Sequence, residues 1–148
     1  MLVTAQLASS VSATHSRIVP AVNQREVHPF LQQTAAKELQ DRHGTVLQAW
    51  GPLAQGNPDL CAHPVLRRIA ATHGRSVPQI ALRRLLQRGI PLVAKSTDPG
   101  RLRQNIAVFD FELSPDELAA IAELDRHQPG LGFTHQDPRM LELLLKYA

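Results

Sequence analysis

The chain has 148 residues, 43% of them hydrophobic, and a formal net charge of +3. That length supports one domain with a core and excludes a complete α/β barrel of about 250 residues, while the apolar share argues against wholesale disorder. The single cysteine, Cys61, has no partner for an internal disulfide or a zinc site, no apolar run reaches membrane-spanning length, and no basic-then-apolar leader opens the chain. The expectation is a metal-free cytoplasmic protein that does not engage a membrane.

Charge is unevenly spread. From Cys61 to Thr97 there are seven arginines or lysines and no acid; from Gln104 to Asp125 there are six acids and no lysine or arginine. Such asymmetry suits a nucleic acid or an anionic small ligand. With one Trp, one Tyr and four Phe, a base-stacking platform is poorly supported. Arg67, Arg68, Arg75, Arg83, Arg84 and Arg88 fall mostly on predicted helices whose solvated exterior accounts for them, so no nucleic-acid partner is expected.

In chain order, residues 1–16 are weakly patterned and form an N-terminal arm, with the folded domain spanning 17–148. Residues 18–24 read as a short apolar strand ending in amides, and 31–42 as a helix with Leu31, Ala35 and Leu39 on one stripe, stopped by His43-Gly44. Residues 45–50 give a second strand, ended by Gly51-Pro52, and 51–64 a loop rich in proline and glycine. A helix over 64–72 presents Val65, Leu66, Ile69 and Ala70. A second one, to about Arg88, opens with the capping-box pattern Ser76-Val77-Pro78-Gln79 and presents Ile80, Leu82, Leu85 and Leu86.

Residues 90–94 are a compact apolar run between Gly89 and a polar turn, which reads as a buried strand. Asp98-Pro99 then starts a helix ending near Ala107, since an acidic N-cap followed by proline suits a helix N-terminus. Lys95, Ser96 and Arg101 cluster between that strand end and that helix start. They read either as solvated loop residues or as a phosphate site. A P-loop is excluded, because Ala94 stands where that motif needs glycine. Ser114-Pro115-Asp116-Glu117 opens a further helix to about Asp125, residues 130–138 form a loop, and 140–147 form a short terminal helix. Alternating strands and helices imply an α/β fold with a parallel sheet.

Three separated runs, in order, resemble the aldo-keto reductases. Pro20-Ala21-Val22-Asn23-Gln24-Arg25-Glu26-Val27-His28-Pro29-Phe30 is similar to the family's sixth barrel strand, and Gln48-Ala49-Trp50-Gly51-Pro52-Leu53-Ala54-Gln55-Gly56 to its seventh. Lys95-Ser96, then Arg101 and Asn105, is similar to the eighth strand and its helix. Trp50-Gly51-Pro52-Leu53 points toward the prokaryotic 2,5-diketo-D-gluconate reductase-like branch. The resemblance implies a partial (β/α)8 TIM barrel made of the last three strand–helix units, an NADPH cofactor, and a small carbonyl substrate.

It also implies roles. Gln24 bonds the nicotinamide carboxamide, Trp50 stacks on the nicotinamide ring beside Gly51, and Leu53 and Gln55 lie near the cofactor. Lys95, Ser96 and Arg101 take the 2′-phosphate, with Gln104 and Asn105 at the adenine. Read without the resemblance, Gln24 is a polar strand end, Trp50 a core residue, and Gln104 and Asn105 an exposed helix face. His28-Pro29 reads as structural. Ala94 and Arg84 depart from the proline and tryptophan frequent in the family at those places.

The family's catalytic Tyr, Lys, Asp and His, and a Ser-Asn pair at the nicotinamide, have no counterpart in the matched runs. Tyr147 is the only tyrosine, and Lys37, Lys95 and Lys146 are the only lysines. No catalytic residue is therefore assigned, and the expectation is a chain that holds NADPH without reducing a carbonyl by itself. The alternatives are an inactive nucleotide-binding or interaction module, or one chain of a split enzyme. Exposed sheet edges imply self-association or a partner chain supplying strands.

Overall fold

The computed structural model describes residues 18–129. The expected arm at 1–16, the loop at 130–138, the terminal helix at 140–147 and Tyr147 lie outside the described residues.

Two parallel strands, β1 (Val22–Glu26) and β2 (Val46–Trp50), pair in register from Val22 opposite Val46 to Glu26 opposite Trp50. β1 is displaced from the predicted 18–24. Pairing begins where Val46 N donates to Ala21 O, and Ile18 and Val19 are 84% and 45% exposed with no strand beside them. The third predicted strand is reduced to one bridge, Ala49 to Leu92. Pro91 O accepts from Ala49 N and Val93 N donates to Ala49 O. Beyond that, among the described residues, no strand flanks this segment to prolong it.

Helix α1 (Thr34–Arg42) joins β1 to β2. It starts later than the pattern predicts, because Leu31 bridges back to His28 and Gln33 is left-handed at φ 53°. Its buried positions are Ala36 and Gln40 rather than the stripe through Ala35 and Leu39. The proline-rich stretch after β2 is not all loop. It holds a 3₁₀ turn (Ala54–Gly56) and helix α2 (Pro58–Ala62), where Asn57 Oδ1 accepts from Asp59 N at 2.9 Å.

Helices α3 (Pro64–His73), α4 (Val77–Gln87), α5 (Pro99–Ile106) and α6 (Pro115–Ala122) follow, each near its predicted place. Their starts are set locally: Gln79 Oε1 accepts from Ser76 N, Asp98 Oδ1 from Arg101 N, and Glu117 Oε2 from Ser114 N. Each satisfies a backbone donor that a helix end leaves orphaned.

Helix α4 is the spine of both cores. On one side Val77 and Ile80 join Phe30, Leu60, Leu66, Ile69, Leu113 and Ile121. On the other, Leu85 joins Val27, Leu47, Ala49 and Ile90 under the sheet, with Leu92 packed against them. Leu85 is 1% exposed, so its truncation to alanine carries a cavity cost of about 2–5 kcal/mol. Because strand side chains alternate, Leu47 and Ala49 face α4 while Val46, Gln48 and Trp50 face away. No helix covers that second face among the described residues: Val22, Val46 and Val93 are 52%, 43% and 51% exposed. Among them, no helix is long and apolar enough to cross a membrane.

Arg83 and Arg84 overturn the expectation of a solvated basic helix, being only 9% and 3% exposed. Arg83 donates to Val108 O and pairs with Glu112 at 3.1 Å. Arg84 points inward to Gln32.

Candidate cofactor site

The residues singled out from sequence lie on β1, on β2 and the turn after it, and around the start of α5. Gln24 on β1 stands opposite Gln48 on β2, and its Nε2 donates to Gln48 Oε1 at 2.8 Å on the open face. Gln48 was not singled out, although alternation with Trp50 puts it on the same face. The bond orients the Gln24 amide and leaves its carbonyl oxygen without a partner among the described residues. Trp50, the last residue of β2, is half-buried. Its position is neither a closed core nor a fully exposed one.

Gly51 turns the chain at φ 58°, and a Cβ there would meet Gln55 Nε2 at 3.3 Å and Glu26 Oε1 at 3.6 Å. Leu53 is partly buried against the larger core, whereas Gln55 is exposed and left-handed at φ 56°. The Ala49–Leu92 bridge, continued in register, sets Ala94 level with Gly51. Lys95 and Ser96 follow the Leu92 bridge by three and four residues, on the carboxyl side of that segment. Ligands of parallel α/β folds collect at this carboxyl end of the strands.

Ser96 Oγ accepts from Asp98 N at 3.1 Å, which folds the polar turn back on itself. Asp98 in turn takes Arg101 N at 2.7 Å. The helix N-terminus is thus already occupied by a carboxylate, so an anion bound here would rely on side chains rather than on that amide. Lys95 and Arg101 are exposed and form no ion pair among the described residues. Arg101 and Asn105 stand one turn apart on α5 and share a face; Gln104 is adjacent and exposed. Two exposed cations and a hydroxyl suit an anionic group, and an oriented amide on the face that carries Trp50 suits a hydrogen-bonding ligand.

The concave surface found elsewhere, a cleft of about 230 Å³ lined by Lys37, Asp41, Thr45, Val46 and Gly89, lies at the opposite end of β2. It shares no residue with this cluster. Among the described residues no group of His, Cys, Asp and Glu could hold a metal ion. Cys61 is a free, exposed thiol on α2.

The Aldo/keto reductase family profile matches residues 3–126. The chain belongs to that family. It is 42% identical over 112 residues to "Aldose reductase B" of Dictyostelium discoideum, an alignment covering 76% of this chain and 36% of that protein. It is 39% identical over 108 residues to "Methylglyoxal reductase DkgA" of Yersinia pestis, covering 73% and 39%. Among solved structures, a mutant of Gox0644 in complex with NADPH superposes with a TM-score of 0.76 at 34% identity, covering 92% of this chain and 48% of that one. A "putative 2,5-diketo-D-gluconic acid reductase B" superposes with a TM-score of 0.76 at 35% identity, covering 82% and 43%. The fold is accordingly a partial aldo-keto reductase barrel. The chain spans about two fifths of the length of the curated relatives it matches.

Proposed function

We propose that this chain is the NADPH-holding part of an aldo-keto reductase that acts on small aldehydes, ketones or keto-sugars. The reading is supported by Gln24 and Gln48 on the open sheet face that also carries Trp50, and by the exposed Lys95 and Arg101 with Ser96 in the polar turn that follows the Leu92 bridge. Gln24, oriented by Gln48, holds the carboxamide, and Trp50 covers one face of the ring. Lys95, Ser96 and Arg101 bind the 2′-phosphate, while Gln104 and Asn105 meet the adenine amine; Leu53 and Gln55 flank the cofactor. Bound NADPH supplies the hydride for carbonyl reduction. The proton must come from a group within hydrogen-bond reach of the carbonyl, and no such group is assigned in this chain.

The test is titration of the 148-residue chain with NADPH and NADH, following quenching of Trp50, the single tryptophan. A charge-assisted hydrogen bond contributes about 1.5–3 kcal/mol, so two give NADPH a preference on the order of 100-fold. Arg101→Ala should lower that preference about tenfold. Equal affinities, or an unchanged preference in Arg101→Ala, would refute the assignment.

The exposed Val22, Val46 and Val93 support a second feature of this reading: the open sheet face takes a covering partner, either another copy or a chain carrying further strands. Such a chain could also serve as a nucleotide-binding module with no turnover of its own.

A further inference from the structure

Glu26 and His28 are buried ionisable groups that the proposed cofactor contacts do not use. Glu26 ends β1 at 6% exposure, and His28 is 1% exposed. Phe30 N donates to His28 Nδ1 at 3.3 Å, so the neutral ring carries its proton on Nε2. That nitrogen lies 3.4 Å from Glu26 Oε1 and has no aligned hydrogen-bond acceptor. The carboxylate is therefore its electrostatic partner.

The pair lies under the turn that leaves β2. Glu26 is opposite Trp50, and Val27 N donates to Trp50 O at 3.2 Å, which closes the strand pairing just before the chain swings away at Gly51. A Cβ on Gly51 would touch Glu26 Cγ and Oε1, both at 3.6 Å, and Gln55 Nε2 at 3.3 Å. Within this turn Ala54 and Gln55 are both left-handed, at φ 52° and 56°. Non-glycine residues persist in that region only where the surroundings over-determine them. Ala54 is held by the core at 1% exposure. Gln55 is exposed, and its amide rests at the corner formed by Gly51 and Glu26.

We infer that Glu26 and His28 are positioning residues: together they support Gly51 and hold the strained 51–56 turn, with Leu53 and Gln55, at the end of β2. The functional half of this inference rests on the cofactor reading, since Leu53 and Gln55 are contacts in it; the structural half does not.

The test is amide hydrogen exchange of the full chain in Glu26→Gln, which keeps the shape and removes the charge, and in His28→Asn. The amides of Ala54, Gly56 and Asn57, bonded to Gly51 O, Leu53 O and Ala54 O, should exchange at least about tenfold faster while α4 amides stay unchanged. Trp50 emission should shift, and the double variant should match the single ones. Gly51→Ala keeps both residues and should loosen the same three amides through its left-handed φ of 58° and the 3.3 Å approach of its Cβ to Gln55 Nε2, which calibrates the exchange readout. Unchanged turn amides in Glu26→Gln would overturn the inference, as would an equal acceleration in α4. An NADPH titration then decides the functional half, with affinity expected to fall about tenfold in Glu26→Gln. A loosened turn with undiminished NADPH affinity would overturn that half. Absence of quenching in the unsubstituted chain would instead refute the cofactor reading, with the exchange data still deciding the positioning role.

Discussion

Replacing Arg84 with leucine should stabilise this protein. Arg84 is 3% exposed, donates to Gln32 Oε1, and leaves Nε and Nη1 buried without partners. Burial first, and then the nearby Arg88 guanidinium, push its pKa below the ordinary arginine range to about 10, against an upward pull from Asp125. That drop corresponds to a penalty of about 3 kcal/mol on the charged form. Leucine removes the penalty but strands Gln32 Oε1, at a cost of about 1–2 kcal/mol. The Gln32 amide nitrogen keeps its bonds to the carbonyls of Pro29, Ile121 and Ala122. The net gain is about 1–2 kcal/mol, within the range seen when buried charges give way to apolar residues, or roughly 2–8 °C in Tm. Urea unfolding followed at Trp50, with thermal melts at pH 7, measures it. Above pH 10 the unfolded arginine still holds a proton that the folded one has lost. The native chain therefore gains stability relative to Arg84→Leu as pH rises through 10, and the gap should narrow by about 1 kcal/mol by pH 11. A destabilised Arg84→Leu, or a gap that does not change with pH, would refute this reasoning.

Glu117→Gln should cost about 1 kcal/mol at neutral pH. Burial raises the Glu117 pKa, but the bonds from His73 at 3.0 Å and from Ser114 outweigh it and hold the carboxyl below its usual 4.5. Its contribution is present above that value and is lost as pH falls through the lower folded pKa, so Glu117→Gln should flatten the acid limb of a stability profile. Sedimentation of the isolated chain should show concentration-dependent self-association, reduced when Val22, Val46 and Val93 become threonine; a monomer at every concentration with sharp cooperative unfolding would count against it. The same chain given NADPH and a simple aldehyde should turn over far more slowly than about 1 per second, and a rate at or above that would show that a proton donor is present after all.

Residues within a few positions of one another were sufficient to place the helix starts at Ser76, Asp98 and Ser114, because each cap joins a side chain to an amide three residues away. The strand ending at Trp50 was equally legible, framed by Gly44 and Gly51-Pro52. So was the family, carried by Gln24, Trp50, Lys95, Ser96 and Arg101. What the tertiary structure decided is everything that depends on a distant partner. β1 runs from Val22 rather than Ile18 because pairing begins beside β2, and the 90–94 run is a single bridge because no strand flanks its other side among the described residues. Arg84 is buried because α4 lies against the Gln32 loop, 52 positions away in sequence. Glu26 and His28 gain their place under Gly51 only when β1 and β2 pair. Local hydrogen bonding is written in adjacent residues; burial and strand length are set by whichever surfaces the fold brings together.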